Sequence, residues 1–127
     1  MNLRHVLCVA AGGTVGTAAR LALGLALPDA GVLPVLLANL IGAFLIGALT
    51  ARLPAAIELR LLLGTGVLGG FTTYSAFVMG TVELWADAPA LAIGYALGSL
   101  VLGLAAAALG LRAGRPRARH ASAGALS

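Results

Sequence analysis

Residues 61–79 read LLLGTGVLGGFTTYSAFVM, from Leu61 to Met79. The stretch has the length and apolarity of a membrane crossing, since about 20 predominantly apolar residues span a bilayer core. Its centre is nonetheless a poor helix. Gly69-Gly70 carries a backbone-entropy cost, and the hydroxyls of Thr72-Thr73 compete for main-chain carbonyls. Broken backbone at bilayer depth is tolerated only where protein buries it or where it lines a cavity. A helix interrupted in mid-membrane is therefore expected here, and with it a site. Discontinuous membrane helices expose carbonyls that hold cations and N–H ends that attract anions.

Immediately after the break come Tyr74, Ser75 and Phe77. Tyr74 and Phe77, three apart, share a helix face, and aromatic rings have an electropositive edge. Ring edges and hydroxyl donors together can coordinate an anion without a fixed positive charge. The plainer reading of such a pair is packing.

The rest of the chain agrees with a membrane setting. Of 127 residues, 61% are apolar, only 9% are charged, and the mean hydropathy is +1.05. A soluble domain carries roughly 25% charged residues, so lipid must be the solvent for most of this surface. Four spans are expected, at 5–27, 32–53, 59–83 and 89–111, in one all-α membrane domain over 1–111. Short breaks separate them at Pro28–Gly31, Arg52–Pro54 and Asp87–Pro89, so neighbouring helices run antiparallel. The first span follows Arg4, as in a signal peptide, but is longer than an h-region and reads as a retained helix. Residues 112–127 are basic and rich in small residues, and read as a disordered tail. Beside four membrane helices that tail points to orientation and anionic lipid rather than to nucleic acid. Cys8 stands alone, without a partner for a disulfide or a metal site.

All eight basic residues are arginines. Arg4, Arg52, Arg60, Arg112, Arg115, Arg117 and Arg119 fall at the N-terminus, the second connection and the tail. The first and third connections hold Asp29 and Asp87, with Glu83 nearby. The positive-inside rule then places both termini in the cytoplasm. Arg20 is the exception, within the outer part of the first span.

Glycines recur at helical spacing. Gly12, Gly16, Arg20 and Gly24 lie four apart, as do Asn39, Ala43 and Gly47, Gly94 and Gly98, and Tyr95, Ser99 and Gly103. Small residues four apart allow backbones to approach closely in lipid. Packing does not account for Asn39, a mid-membrane amide that is costly unless it faces a partner or a wet path.

These stretches resemble the Fluc/CrcB family of fluoride channels. The pattern GGxxGAxxR is matched by Gly12–Arg20, N-x-x-G-x-F-x-x-G by Asn39–Gly47, and GxxGGxTTFSTF by Gly66–Phe77. The resemblance covers essentially the whole chain. It implies a dimer of two oppositely oriented subunits with two passive fluoride pores. It also implies a structural sodium ion held by carbonyls of the third-helix break, from Gly69 and Thr72. By position, Phe77 and Tyr74 would be the aromatic anion ligands, with Asn39 and Ser75 lining a polar track. Tyr95 and Ser99 would continue that track, and Arg20 would sit near a pore vestibule. Three departures accompany it: Tyr74 where the family has Phe, Ala76 where it has Thr, and Gly80 where an acidic residue is expected.

Homodimers that insert both ways need a nearly balanced charge bias. Seven arginines on one side predict one-way insertion and pairing with a second, oppositely biased homologous chain. Two rival readings remain at this stage. A small four-helix multidrug transporter needs a membrane-embedded carboxylate, whereas Asp29, Glu58, Glu83 and Asp87 all lie at or near helix ends. A non-conducting structural subunit is the other rival. An enzyme is not expected, because His5 and His120 are terminal and no nucleophile has a base beside it.

Overall fold

A computed structural model describes residues 2–116, and among these the regular structure is entirely helical. Helix α1 spans Leu3–Ala26 and α2 spans Leu33–Arg52. The third span, Ile57–Asp87, is composite. It comprises α3 (Ile57–Arg60), a π-helical stretch over Leu61–Leu68, α4 (Gly69–Phe71) and α5 (Tyr74–Asp87). Helix α6 runs over Pro89–Gly114. Four spans are thus long and apolar enough to cross a membrane.

The break falls at Thr72-Thr73, where both residues are extended (φ −79°, ψ 156° and φ −150°, ψ 120°). This is two to three residues later than the glycine pair suggests, because Gly69 and Gly70 are still helical. Gly70 serves close approach instead: a methyl group there would collide with the Gly13 carbonyl of α1. The preceding π-helical stretch was not foreseen. Such wide turns are rare and collect at functional sites.

Two tight pairings organise the molecule. Helix α1 lies along the first half of the third span, and α2 lies along α6. Both contacts are backbone on backbone. A Cβ on Gly12 would collide with the Leu62 carbonyl and come 2.9 Å from Gly66 Cα, and one on Gly16 would collide with the Val67 carbonyl. On the other pair, Gly47 meets the Ala107 carbonyl and Gly110 the Phe44 carbonyl. Hydrophobicity provides no drive between helices in lipid, so close van der Waals packing must hold them. Helix α5 folds back onto α6, with Gly80 buried against Val32 and Tyr95.

Helix α6 continues three residues past the expected end at Leu111. Gly114 packs on the Ala48 backbone, and Arg112 lies in the last turn where the helix dipole favours a cation. The first residues assigned to the tail are therefore helical, while residues 117–127, with Arg117, Arg119 and His120, lie outside the described residues.

Candidate functional site: the broken helix and its groove

The break has a specific hydrogen-bonding solution. Asn39, in the second turn of α2, donates from Nδ2 to the Thr73 carbonyl (3.0 Å) and accepts at Oδ1 from the Thr73 N–H (2.8 Å). One side-chain amide thereby replaces both main-chain partners that an extended residue loses. On the other side, Arg20 Nε donates to the Gly70 carbonyl (3.2 Å), which Thr17 Oγ1 also approaches (3.4 Å). Arg20 thus continues the Gly12–Gly16 stripe directly onto the end of α4. Thr73 starts α5 as its N-cap, its Oγ1 accepting from Ala76 N–H (3.2 Å) and lying 3.2 Å from Ser75 Oγ. Gly42 faces the Thr72 methyl group, which holds the break against α2.

Several carbonyls at the break lose the donors that a continuous helix would give them, and those of Gly69 and Thr72 belong to residues that line the groove. The N–H four residues beyond Gly69 is that of Thr73, spent on Asn39, while Thr72 N–H goes to Leu68 (3.0 Å). The N–H four beyond Thr72 is that of Ala76, spent on Thr73 Oγ1. Among the described residues no three His, Cys, Asp or Glu side chains converge. The donor set at the break is therefore main-chain oxygen, the ligand type that unwound membrane helices offer to sodium. Gly69 and Thr72 fit a cation chemically.

Asn39, Gly69, Thr72, Tyr74, Phe77 and Ser99 all line one open groove of about 750 Å³. Of the remaining expected residues, Tyr95 and Ser75 lie beside it and Arg20 does not. Tyr74 projects outward, 79% exposed, with its ring centroid 6.1 Å from that of Phe77. Behind Phe77, at 5.4 Å, stands the ring of Tyr95, only 8% exposed. The three rings form one line from surface to interior. Tyr95 OH and Ser99 Oγ are buried and have no hydrogen-bond partner among the described residues. One turn apart on α6, they leave two polar atoms on the inner side of the ring line, at a cost unless something polar reaches them. Ser75 is exposed beside Thr73, outside the groove lining. Arg20 lies apart from the groove, in a fissure of about 310 Å³ with Leu21, Pro34 and Val35.

Sequence reasoning named Thr73 only as half of the helix-weakening pair and gave it no role in the site. Its neighbour Thr72 drew the attention, yet Thr73 is the residue that Asn39 clamps and that caps α5. A Thr opening the run Thr-Tyr-Ser-Ala was an available N-cap signal. Thr17 was likewise noted only as part of a motif. The Gly80 departure has a steric counterpart here, since even a Cβ at that position would stand 2.9 Å from Val32 Cγ1.

The sequence profile described as "CrcB-like protein, Camphor Resistance (CrcB)" matches residues 7–111. Two relatives named fluoride-specific ion channel FluC are each 44% identical to this chain. One, from Agrobacterium fabrum, aligns over 87% of this chain and 96% of its own length. The other, from Paracoccus denitrificans, aligns over 89% and 97%. A protein from Leifsonia xyli named fluoride-specific ion channel FluC 2 is 41% identical over 87% of this chain and 83% of its own. With its broken third span, aromatic line and glycine-packed helices, this chain belongs to the CrcB-like family.

Proposed function

We propose that the protein is a subunit of a fluoride-selective passive ion channel that lets fluoride leave the cytoplasm and so lowers its toxicity. The observation that carries this reading is the groove: the rings of Tyr74 and Phe77 and the Ser99 side chain at a broken membrane helix. They are backed by the buried Tyr95, whose hydroxyl, like Ser99 Oγ, has no partner among the described residues. Such a surface offers an anion weak, multiple contacts in place of one strong charge. Conduction requires that an ion enter readily and leave readily, and the groove lining carries no cationic side chain. Relatives named for fluoride channels support the same reading, and neither a drug transporter nor an enzyme is favoured.

The finer reading is a dimer of two oppositely oriented subunits, the second covering the exposed Tyr74 and the open groove. Gly69 and Thr72 of each copy would then bring four carbonyls to one sodium ion at the centre, whose fixed positive charge would join the two halves. Asn39 and Arg20 hold the carbonyl-bearing segment in place from both sides. Asn39 retains one Nδ2 hydrogen for an anion, and Ser75 one hydroxyl at the rim. Both termini lie in the cytoplasm in this reading. Because the arginines bias insertion to one direction, the partner is a second homologous chain of opposite bias.

Fluoride efflux from liposomes, with chloride as the control anion, tests the channel. Rapid fluoride-selective efflux by this chain alone supports the channel and refutes the obligate partner. Efflux only when a second homologous chain is co-purified supports both. Silence in both preparations refutes the channel.

A further inference from the structure

At the arginine-rich end of the molecule a cleft of about 280 Å³ opens between the end of α2 and the start of the third span. Arg60 and Thr65 line it, with Leu53 at its outer limit. Ile46 and Gly64 line both this cleft and the 750 Å³ groove. The trough beside Arg60 therefore shares a wall with the groove at the break in the helix.

Arg60 is exposed but held. Its Nε donates to the Pro54 carbonyl (3.2 Å) and its Nη2 to the Leu53 carbonyl (3.1 Å), at the C-terminal end of α2. A guanidinium has five N–H donors, so three remain for another ligand. The nearest acid in sequence, Glu58, is two residues earlier on α3, a spacing at which helix side chains do not face each other. Asp29, Glu83 and Asp87 fall at the opposite end of the spans. Capping α2 needs a donor but no charge. The full charge is left standing in a concave trough that adjoins the groove.

We infer that Arg60, with the exposed Thr65 beside it in the cleft, is an anion-capture site that concentrates the permeating halide at the mouth of the groove. The site rests on the channel reading above and adds the step before permeation. A charge held in a cleft with low-dielectric walls focuses the field and raises the local counter-ion concentration and on-rate, by roughly 10-fold or more. The aromatic line deeper in the groove selects without a fixed charge, so attraction and selection are carried by different residues.

The test is the initial rate of fluoride efflux at two concentrations of an impermeant salt, potassium gluconate. At about 10 mM the screening length is about 30 Å, and at about 1 M it is about 3 Å. The preparation is the chain, with its second homologous chain if it is silent alone. Arg60→Gln is expected to lower the rate about 3- to 10-fold at low salt and less than about 2-fold at high salt. Arg60→Lys, which keeps the charge, is expected to stay within about 2-fold of the unmodified protein. Arg4→Gln, on the same side but outside the trough, should leave the rate unchanged. The capture site is overturned if Arg60→Gln matches the unmodified protein at low salt. It is also overturned if Gln and Lys lower the rate equally at both salts with a lowered melting temperature, which marks a helix cap only. If the unmodified protein carries no fluoride in either preparation, the channel reading falls first and the capture site with it.

Discussion

The third span has two flanks, and they are built oppositely. Toward α1 it presents Gly66 and Gly70, and no space remains between the backbones. Toward α2 and α6 it presents Leu68, Thr72, Tyr74 and Phe77, and a groove of about 750 Å³ stays open. On the closed flank Arg20 and Thr17 converge on the carbonyl that the break exposes. On the open flank, the Gly69 and Thr72 carbonyls lack their helical donors, and the Tyr95 and Ser99 hydroxyls have no partner among the described residues. The closed flank is what stability requires in lipid, and the open flank is the surface proposed for passage of the ion. The same helix serves both because its break reorients the chain at the level where the flanks meet.

Substitutions on the closed flank should have the largest effect on folding. Gly16→Val places three carbons where a single Cβ already collides with the Val67 carbonyl. Overpacking of this kind costs about 1–3 kcal/mol or more, and rigid backbone leaves no relief. The expected outcome is loss of the monodisperse species on size-exclusion chromatography in detergent. A folded Gly16→Val protein would show that the flank is looser than the contact implies.

Asn39 joins the flanks, and Asn39→Ala is next in size. It removes two hydrogen bonds and orphans the Thr73 N–H and C=O. The expected loss is about 1–3 kcal/mol, read as a lower melting temperature together with loss of fluoride efflux. Asn39→Asp keeps the acceptor but not the donor and should fall between alanine and the unmodified protein.

On the open flank function and stability should separate. Phe77→Leu keeps an apolar side chain but removes the ring edge, so efflux should fall at least about 10-fold for a stability change under about 1.5 kcal/mol. Ser99→Ala should lower efflux and leave the melting temperature equal or higher, because an orphaned buried hydroxyl is removed. Destabilisation by Ser99→Ala would place that hydroxyl in the structural network instead.

The smallest effect is expected at Gly94, where an added methyl meets nothing within 4 Å. Gly94→Ala should be neutral or stabilising by up to about 1 kcal/mol, the helix-propensity difference, in a thermal melt. A smaller species on size-exclusion chromatography after that change would mark Gly94 as a subunit contact.

Much of this organisation was legible in the residues. Four spans, their antiparallel order and the glycine stripe of α1 follow from hydropathy and spacing, because lipid imposes helices of set length and small residues where they touch. That Asn39 must find a partner also followed, since a bare amide at that depth is costly. Its partner did not, because the Thr73 backbone is 34 residues away and the register of α2 against the break is a matter of packing. The expected break covered Gly69-Gly70 and Thr72-Thr73, and the structure narrows it to the threonines for a related reason. Glycine reads as flexibility in a sequence, whereas Gly70 is there so that α1 can approach, and the threonines carry the extended turn.

Composition and periodicity alone therefore determined that this chain is a four-span membrane protein with a weak point in its third span. Those properties are summed over many residues, and the solvent enforces them one helix at a time. Only the tertiary structure decided which carbonyls lose their donors, which hydroxyls lack partners among the described residues, and that the Arg60 cleft shares a wall with the groove that Phe77 lines. Each of these depends on the rotation and axial position of one helix against another, which local sequence does not encode.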